Sequence, residues 1–553
     1  MKINTPAAVF LLFLLITLAY FNSIRNPFHY DDLVSVQRNP GLTSLSNIKY
    51  IIQQKEYFEL FGERTYRPVT SAIYIVLKQA FGNNPSWWRL FNLLLHLANC
   101  VVLLLLFERL RIKRSLTLLA VAIFAVHTVH TEIFNVVSYN EDLIGGLFCL
   151  LSLLTYFKTG LLWRICSLLF YLLSCFTKET FVLSPLLIFI FSWQTDEEFS
   201  IKGCLWKLVP FFLLALGFYW INFQVMVPSS SFMKPIYPGG SLRVALQTFA
   251  VVLMYYFKLF VWPLGLTPNY EFITYGQFNA LVAFSVGCLV LLLLLLGYGL
   301  LRKAPCAPYL AWYFIFLLPT SNIIPYGGIL AERYLYFPLM GFIVGLLLLL
   351  DSWIARLSAS KILYGLGLVF IVWLSVLTVM RNAVWSDPIK VWGEALKRTD
   401  HQNDFISLTN LASAYEQKGE YEKAIILYQQ AIQSDPMWPF TYRNLGRIYW
   451  RQNRLTEARE QFELALGRRR GFLELNDYYD LLIDQGALCL KLEDYQAALD
   501  YWLKAQKEQP ENPRSYFNLR LVYHKLGMKK QADEANERYQ SLQKKNLPPQ
   551  EQL

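Results

Sequence analysis

Residues Leu281–Leu301 read LVAFSVGCLVLLLLLLGYGLL, a run of 21 residues without a charged side chain. About 20 apolar residues are needed for a helix to cross the hydrocarbon core of a bilayer. Similar runs recur through much of the chain, which is 55% hydrophobic and only 16% charged. Soluble proteins carry about 25% charged residues. The sequence therefore predicts an all-α, multi-pass membrane protein.

Twelve apolar segments are long enough to span a bilayer, or nearly so. They begin near residues 7, 86, 115, 141, 162, 180, 205, 242, 276, 308, 333 and 361. The segments near 162, 180 and 308 are short and should pack inside the helix bundle. The apolar character stops near Arg381, and the rest of the chain is polar and charged. We therefore expect a membrane domain over residues 1–388 with about 11–12 spans, followed by a soluble domain over 389–545.

Loop charges predict the orientation of this bundle. The short basic loop Glu108–Arg114 should be cytoplasmic. Residues 25–85 then form an external first loop, in which Tyr66–Phe81 is a surface helix rather than a span. The last apolar helix, Ile362–Met380, delivers the soluble domain to the same external side. A simple span at Ser241–Trp262 would disagree with the sides of the membrane predicted for the neighbouring loops. The segment could instead lie along the interface or re-enter the membrane.

The net charge of +11 fits this topology without a nucleic-acid partner, because lysine and arginine collect in cytoplasmic loops and at helix ends. The eight cysteines lie mostly inside apolar runs, where they behave as small hydrophobic residues. The sequence shows neither a disulfide framework nor a CxxC zinc pattern.

From Phe405 onward a pattern repeats with a period near 34 residues. The first unit shows its small and aromatic positions: Leu411, Ala412, Tyr415, Ala424, Tyr428, Ala431 and Pro436. Three further units follow, with six extra residues around Arg468–Glu474 between the second and the third. The pattern predicts a tetratricopeptide-repeat solenoid, whose concave face can bind an acceptor or partner protein. A mere scaffold or a dimer surface is the alternative.

The predicted external loops carry the side chains that could do chemistry: Asp31, Asp32, Arg67, His127, His130, Glu132, Asn140, Glu141, Asp142, Lys178, Glu179, Glu332 and Arg333. Adjacent carboxylates at a membrane boundary are costly, which favours Asp31 and Asp32 as catalytic residues. A carboxylate can take the proton of an acceptor hydroxyl. Arg67, Lys178 and Arg333 could hold a lipid-linked phosphate.

Each assignment has a simpler alternative. Asp31 and Asp32 could cap a helix, and Arg333 and Lys178 could be cations that extend toward the membrane surface. Arg67 could anchor the surface helix.

Five motifs occur in order along the chain: Tyr30-Asp31-Asp32, Tyr66-Arg67-Pro68-Val69-Thr70, Phe124–Glu132, Thr177-Lys178-Glu179-Thr180 and Ala331–Tyr336. Together they resemble the transmembrane and tetratricopeptide-repeat-containing O-mannosyltransferases of the GT-C superfamily. The resemblance covers nearly the whole chain. It implies a multi-helix membrane fold, a polyprenyl- or dolichyl-phosphate sugar donor and inversion at the sugar carbon. It also implies that the acidic motif of the first external loop is catalytic.

The resemblance bears on metals as well. The spacing of His127, His130 and Glu132 alone would permit a transition-metal site, but relatives with lipid-monophosphate donors are generally metal-independent. We therefore expect no metal or other cofactor, and a supporting hydrogen-bonding role for these residues and for Asp142. The chain has fewer repeats than is usual in the animal proteins, which indicates a bacterial member in the inner membrane with its active site on the periplasmic side.

The leading hypothesis is a membrane glycosyltransferase that moves a sugar from a polyprenyl-phosphate carrier to protein serine or threonine. The same donor chemistry on a lipid or envelope glycan is an alternative. A non-catalytic membrane scaffold is another, although a scaffold does not need charged residues beside the bilayer. A transporter is disfavoured because the charges lie at helix ends rather than near the midplane.

Overall fold

The computed structural model describes residues 4–53, 57, 65–196, 198–226, 237–270, 274–325, 328–354, 360–397, 404–468 and 475–546. These residues form helices and connecting segments, with no strand among them. The chain divides into two compact units, Met1–Lys390 and Val391–Leu553. Each is described by itself.

All twelve predicted apolar segments are helical. Eight helices are long and apolar enough to cross a membrane: Thr5–Ser23, Pro85–Arg109, Val137–Tyr156, Ile201–Met226, Leu242–Val261, Ala280–Leu301, Glu332–Ile354 and Lys361–Val384. A ninth span is possible if Arg114–Ala125 and Thr128–Asn135, which meet at 45°, count as one. Three apolar helices are shorter: Leu161–Thr177, Glu179–Thr195 and Ala307–Leu317.

Among the described residues, eight or nine helices meet the length of a span, against the 11–12 spans predicted. The three shorter apolar helices are those expected to pack within the bundle. The reason is visible at Leu161–Thr177, whose 17 residues extend only about 26 Å at 1.5 Å per residue. The multi-pass helical architecture itself is confirmed.

Two segments with uncertain topology are now defined as helices. Pro68–Phe81 is a 14-residue helix that begins with a proline at its first position and ends at Gly82, where φ is +56°. Its length is too small for a span, in line with a surface helix. Leu242–Val261 is one continuous helix of 20 residues, so its length suits a span better than a re-entrant segment. The preceding residues 227–236 lie outside the described part of the chain.

Buried polar side chains hold the first loop to the bundle. Asn26 donates to the Asn135 side chain at 2.6 Å and to the Asn382 carbonyl at 3.0 Å, and Asn135 donates to the Asn382 side chain at 2.8 Å. Arg89 is fully buried and donates to the backbone carbonyls of Asn26, Pro27 and Asn135. These contacts fix the chain just before the Asp31-Asp32 motif.

The second unit consists of helical hairpins. Its helices are Phe405–Gln417, Tyr421–Ser434, Pro439–Arg451, Leu455–Gly467, Leu475–Lys491, Tyr495–Glu508, Pro513–Lys525 and Lys529–Asn546. Small residues permit close helix packing: a Cβ added at Gly446 would lie 2.7 Å from the Phe462 ring. The predicted repeat solenoid is confirmed, while the six extra residues predicted around Arg468–Glu474 lie almost wholly outside the described residues.

Candidate active site

The two aspartates of the first loop have different environments. Both belong to the short helix Tyr30–Asp32, but Asp31 is exposed and Asp32 is fully buried. The Asp32 carboxylate accepts the Ser138 N–H at 2.8 Å and the His29 N–H at 3.2 Å. Asp32 therefore ties the first loop to the segment before the helix Glu141–Tyr156, whereas the Asp31 side chain is exposed.

Burial raises the pKa of Asp32 from 3.8 to about 6, although the N–H groups of Ser138 and His29 and the charge of Arg89 oppose the rise. A carboxyl group with this pKa is still mostly ionised at pH 7. Both of its oxygens accept backbone N–H groups, and these hydrogen bonds hold the loop in place.

Tyr139 connects Asp31 to Arg333. Its hydroxyl donates to Asp31 Oδ2 at 2.5 Å. The guanidinium carbon of Arg333 lies 4.1 Å from the centroid of the same ring, within the range of a cation–π contact. A carboxylate and a guanidinium group, 302 positions apart in the chain, thus share one aromatic side chain.

Arg333 is paired with Glu132. Its Nη1 donates to Glu132 Oε1 at 2.6 Å, and its backbone N–H donates to Oε2 at 2.8 Å. The side chain of Glu132 is 1% exposed and that of Arg333 is 22% exposed. Among the described residues, Nε and Nη2 of Arg333 donate to no carboxylate. Arg333 can therefore contact an anion while it keeps Glu132.

Lys178 and Arg67 lie in a second set of ion pairs. Lys178 Nζ donates to Asp142 at 2.7 Å and lies 3.5 Å from Glu141. Arg67 pairs with Glu141 and also donates to Glu179 through Nε and Nη2, at 3.3 Å and 3.0 Å. All three nitrogens of the Arg67 guanidinium thus contact carboxylates, which is the geometry of a structural anchor.

A small pocket adjoins Lys178. Its lining residues are Asp142, Lys178, Thr180, Phe181, Phe316, Pro319, Thr320, Tyr334, Phe337 and Pro338. The ring of Tyr334 lies 5.9 Å from Lys178 Nζ and 5.1 Å from the Arg333 guanidinium carbon. Lys178 therefore lies in the wall of the pocket, and the Tyr334 ring separates the pocket from Arg333.

Three predicted residues point elsewhere. His127 accepts the Val129 N–H and contacts the Phe260 carbonyl at 3.1 Å, deep in the bundle. His130 is fully buried beside the rings of Phe124 and Tyr336. Glu332 accepts the Thr267 N–H and the Tyr270 hydroxyl, each at 2.9 Å.

Among the described residues, no group of three or more His, Cys, Asp or Glu is arranged to hold a metal ion.

Sequence reasoning missed Tyr139 and Arg89. Tyr139 carried no local signal, because its role depends on two residues far away in the chain. Arg89 did carry one, since a charged residue within an apolar helix usually has a buried partner or a task. Its partners here are the three carbonyls that shape the first loop.

The structure defines a class: a multi-pass helical membrane protein with an ion-pair cluster at its helix ends and an appended repeat module. Two family models match the repeats, "TPR repeat" over residues 412–453 and "Tetratricopeptide repeat" over 441–471. A crystal structure of MamA, also helical, is 18% identical with a TM-score of 0.26, covering 28% of this chain and 87% of MamA.

Curated relatives cover both units. Protein O-mannosyl-transferase TMTC3 of Mus musculus is 24% identical over 92% of this chain and 64% of its own length. The Homo sapiens TMTC3 protein is 24% identical over 81% of the chain and 54% of its own length, and Homo sapiens TMTC1 is 23% identical over 78% and 55%. The chain thus spans less than two thirds of the length of these relatives. The chain is therefore similar over both units to proteins named O-mannosyl-transferases, at an identity of 23–24%.

Proposed function

We propose that this protein transfers a sugar, mannose by analogy with the names of its relatives, from a polyprenyl-phosphate carrier to a serine or threonine hydroxyl of a protein. One observation carries the proposal. The exposed carboxylate of Asp31 is joined through Tyr139 to the guanidinium group of Arg333, which has N–H groups left for a phosphate. Tyr139 thereby contacts both the proposed base, Asp31, and the arginine proposed to bind the leaving phosphate, Arg333.

The chemistry is a single displacement. The acceptor oxygen attacks the anomeric carbon and forms the new C–O bond, while its proton passes to the Asp31 carboxylate. The bond between the anomeric carbon and the phosphate oxygen breaks, and the lipid phosphate leaves with the electron pair. Arg333 stabilises the charge on that phosphate. Since Asp31 is exposed, it returns the proton to solvent. One displacement inverts the anomeric configuration.

The ion pairs assign different parts to the three cations. Arg333 contacts the phosphate directly through its unengaged N–H groups. Lys178, at the wall of the small pocket, is the second phosphate contact. Arg67 supports the site indirectly, because it holds Glu141 and Glu179 in place. A lipid-linked donor is held in the membrane, so its phosphate can reach a charged cluster at the ends of membrane-spanning helices.

We assign the repeat module to recruitment of the acceptor polypeptide, since tetratricopeptide arrays form concave binding surfaces. In this proposal the cluster and the module both lie on the external side, the periplasm of a bacterium, where envelope proteins are accessible.

The purified full-length protein, in detergent micelles with a polyprenyl-phosphate mannose and a serine/threonine-rich peptide, tests the activity. Wild-type protein should give glycosylated peptide by mass spectrometry. Asp31→Asn removes the base and should lower the rate by about 100-fold or more with donor binding retained. Asp351→Asn, a carboxylate at the other end of the helix Tyr336–Ile354, is the matched control and should remain active. Equal activity of Asp31→Asn and wild type would exclude Asp31 as the base.

A further inference from the structure

Tyr139 touches both groups that the proposed reaction needs. The hydroxyl donates to Asp31, and the ring face lies against Arg333. The residue is fixed by its position, because Val137–Tyr139 is a short 3-10 helix whose neighbour Ser138 donates its N–H to the buried carboxylate of Asp32. Tyr30 packs edge-on to the same ring, with centroids 6.2 Å apart.

We infer that Tyr139 is the positioning residue that sets the distance between the catalytic base and the phosphate-binding arginine. The inference rests on the proposed function and adds to it a residue with two separable contacts. The hydroxyl orients the exposed Asp31 carboxylate, and the ring holds the Arg333 guanidinium in place. Tyr139 keeps its proton throughout, since the acceptor proton goes to Asp31.

The two contacts act on different steps. Asp31 is exposed, so without the hydroxyl donor its carboxylate can turn toward solvent and away from the acceptor. Misplacement of a catalytic group by about 1 Å can cost about 100-fold in rate. The ring contact concerns donor binding instead, because Arg333 meets the phosphate before and after the transfer. A phenylalanine keeps the ring and loses only the hydroxyl, whereas a leucine loses both.

The experiment measures kcat and the KM for polyprenyl-phosphate mannose in the full-length protein. Tyr139→Phe should lower kcat by roughly 10- to 100-fold with donor KM within about 2-fold of wild type. Tyr139→Leu should lower kcat at least as much, because Arg333 also stabilises the leaving phosphate, and should raise donor KM by roughly 5- to 10-fold, the loss expected for one cation–π contact. A donor KM that stays near wild type in Tyr139→Phe but rises in Tyr139→Leu distinguishes positioning by Tyr139 from a general structural defect.

Tyr364→Phe is the matched control. It removes a tyrosine hydroxyl that contacts Ser115 at 2.7 Å, at the opposite end of the same bundle, and should leave both constants unchanged. Full kcat in Tyr139→Phe, together with an inactive Asp31→Asn, would overturn the role of Tyr139 and leave the proposed function intact. A parallel change of kcat and KM in Tyr139→Phe would also overturn it. No transfer by the wild type would instead overturn the proposed function.

Discussion

Arg333 has two roles in this structure, and a pair of variants separates them. Its guanidinium neutralises Glu132, which is 1% exposed, and it offers N–H groups to a phosphate. Arg333→Met leaves the buried carboxylate without its charged partner, a change that typically costs about 3–5 kcal/mol. Because Arg333 is 22% exposed and the backbone N–H of residue 333 remains on Glu132, we expect the lower end, about 3 kcal/mol.

The double variant Arg333→Met with Glu132→Gln removes both charges. It should recover about 2 kcal/mol of the lost stability, in the range of coupling between contacting residues. Donor affinity should stay low in both variants, because neither has the guanidinium group. The free energy of unfolding in mixed micelles gives the first quantity, and equilibrium binding of polyprenyl-phosphate mannose gives the second.

Lys113→Met is the matched control. Lys113 lies 3.9 Å from Asp351 and is 56% exposed, so its loss should change stability by less than about 1 kcal/mol. Wild-type stability of the single variant would show that Glu132 does not depend on Arg333. Wild-type donor affinity in the double variant would remove Arg333 from the phosphate site.

Three further predictions follow from the loop and the two units. Asp32→Asn should flatten the pH dependence of stability. Burial raises the pKa of Asp32 from 3.8 to about 6, so the contribution of Asp32 to stability is largest below pH 4 and falls by roughly 3 kcal/mol as the pH rises through 6. An unchanged pH profile in the variant would contradict this. Truncation after Lys390 should preserve donor binding and slow transfer to protein acceptors, and undiminished transfer would refute recruitment by the repeats. A cysteine introduced at the exposed Gln417 should react with a membrane-impermeant reagent in intact cells whose outer membrane is permeable, and labelling only after inner-membrane lysis would reverse the orientation.

The sequence predicted most of the helices because hydrophobicity is a local property. The run Leu281–Leu301 lies within one helix, Ala280–Leu301, and the repeat positions around Gly446 fall where hairpins pack. Span number is less well predicted, since composition does not tell whether a short helix such as Ala307–Leu317 crosses the bilayer or packs within the bundle.

The pairing of the charged candidate residues could also be predicted, for a different physical reason. Charges near a membrane have to find partners, and the structure does bring Arg67, Lys178 and Arg333 together with carboxylates. The different environments of Asp31 and Asp32 could not be predicted, because they depend on Ser138, a residue more than a hundred positions away. The burial of His130 could not be predicted either, because it depends on Tyr336, about two hundred positions away.

The buried amide network has a consequence for how the protein is made. Asn26, which follows the first span, is satisfied by Asn382, near the end of the last one. During synthesis, about 350 further residues must be added after Asn26 before Asn382 is present. A chain whose synthesis stops early therefore lacks one of the partners that hold Asn26, and its first loop stays without this anchor.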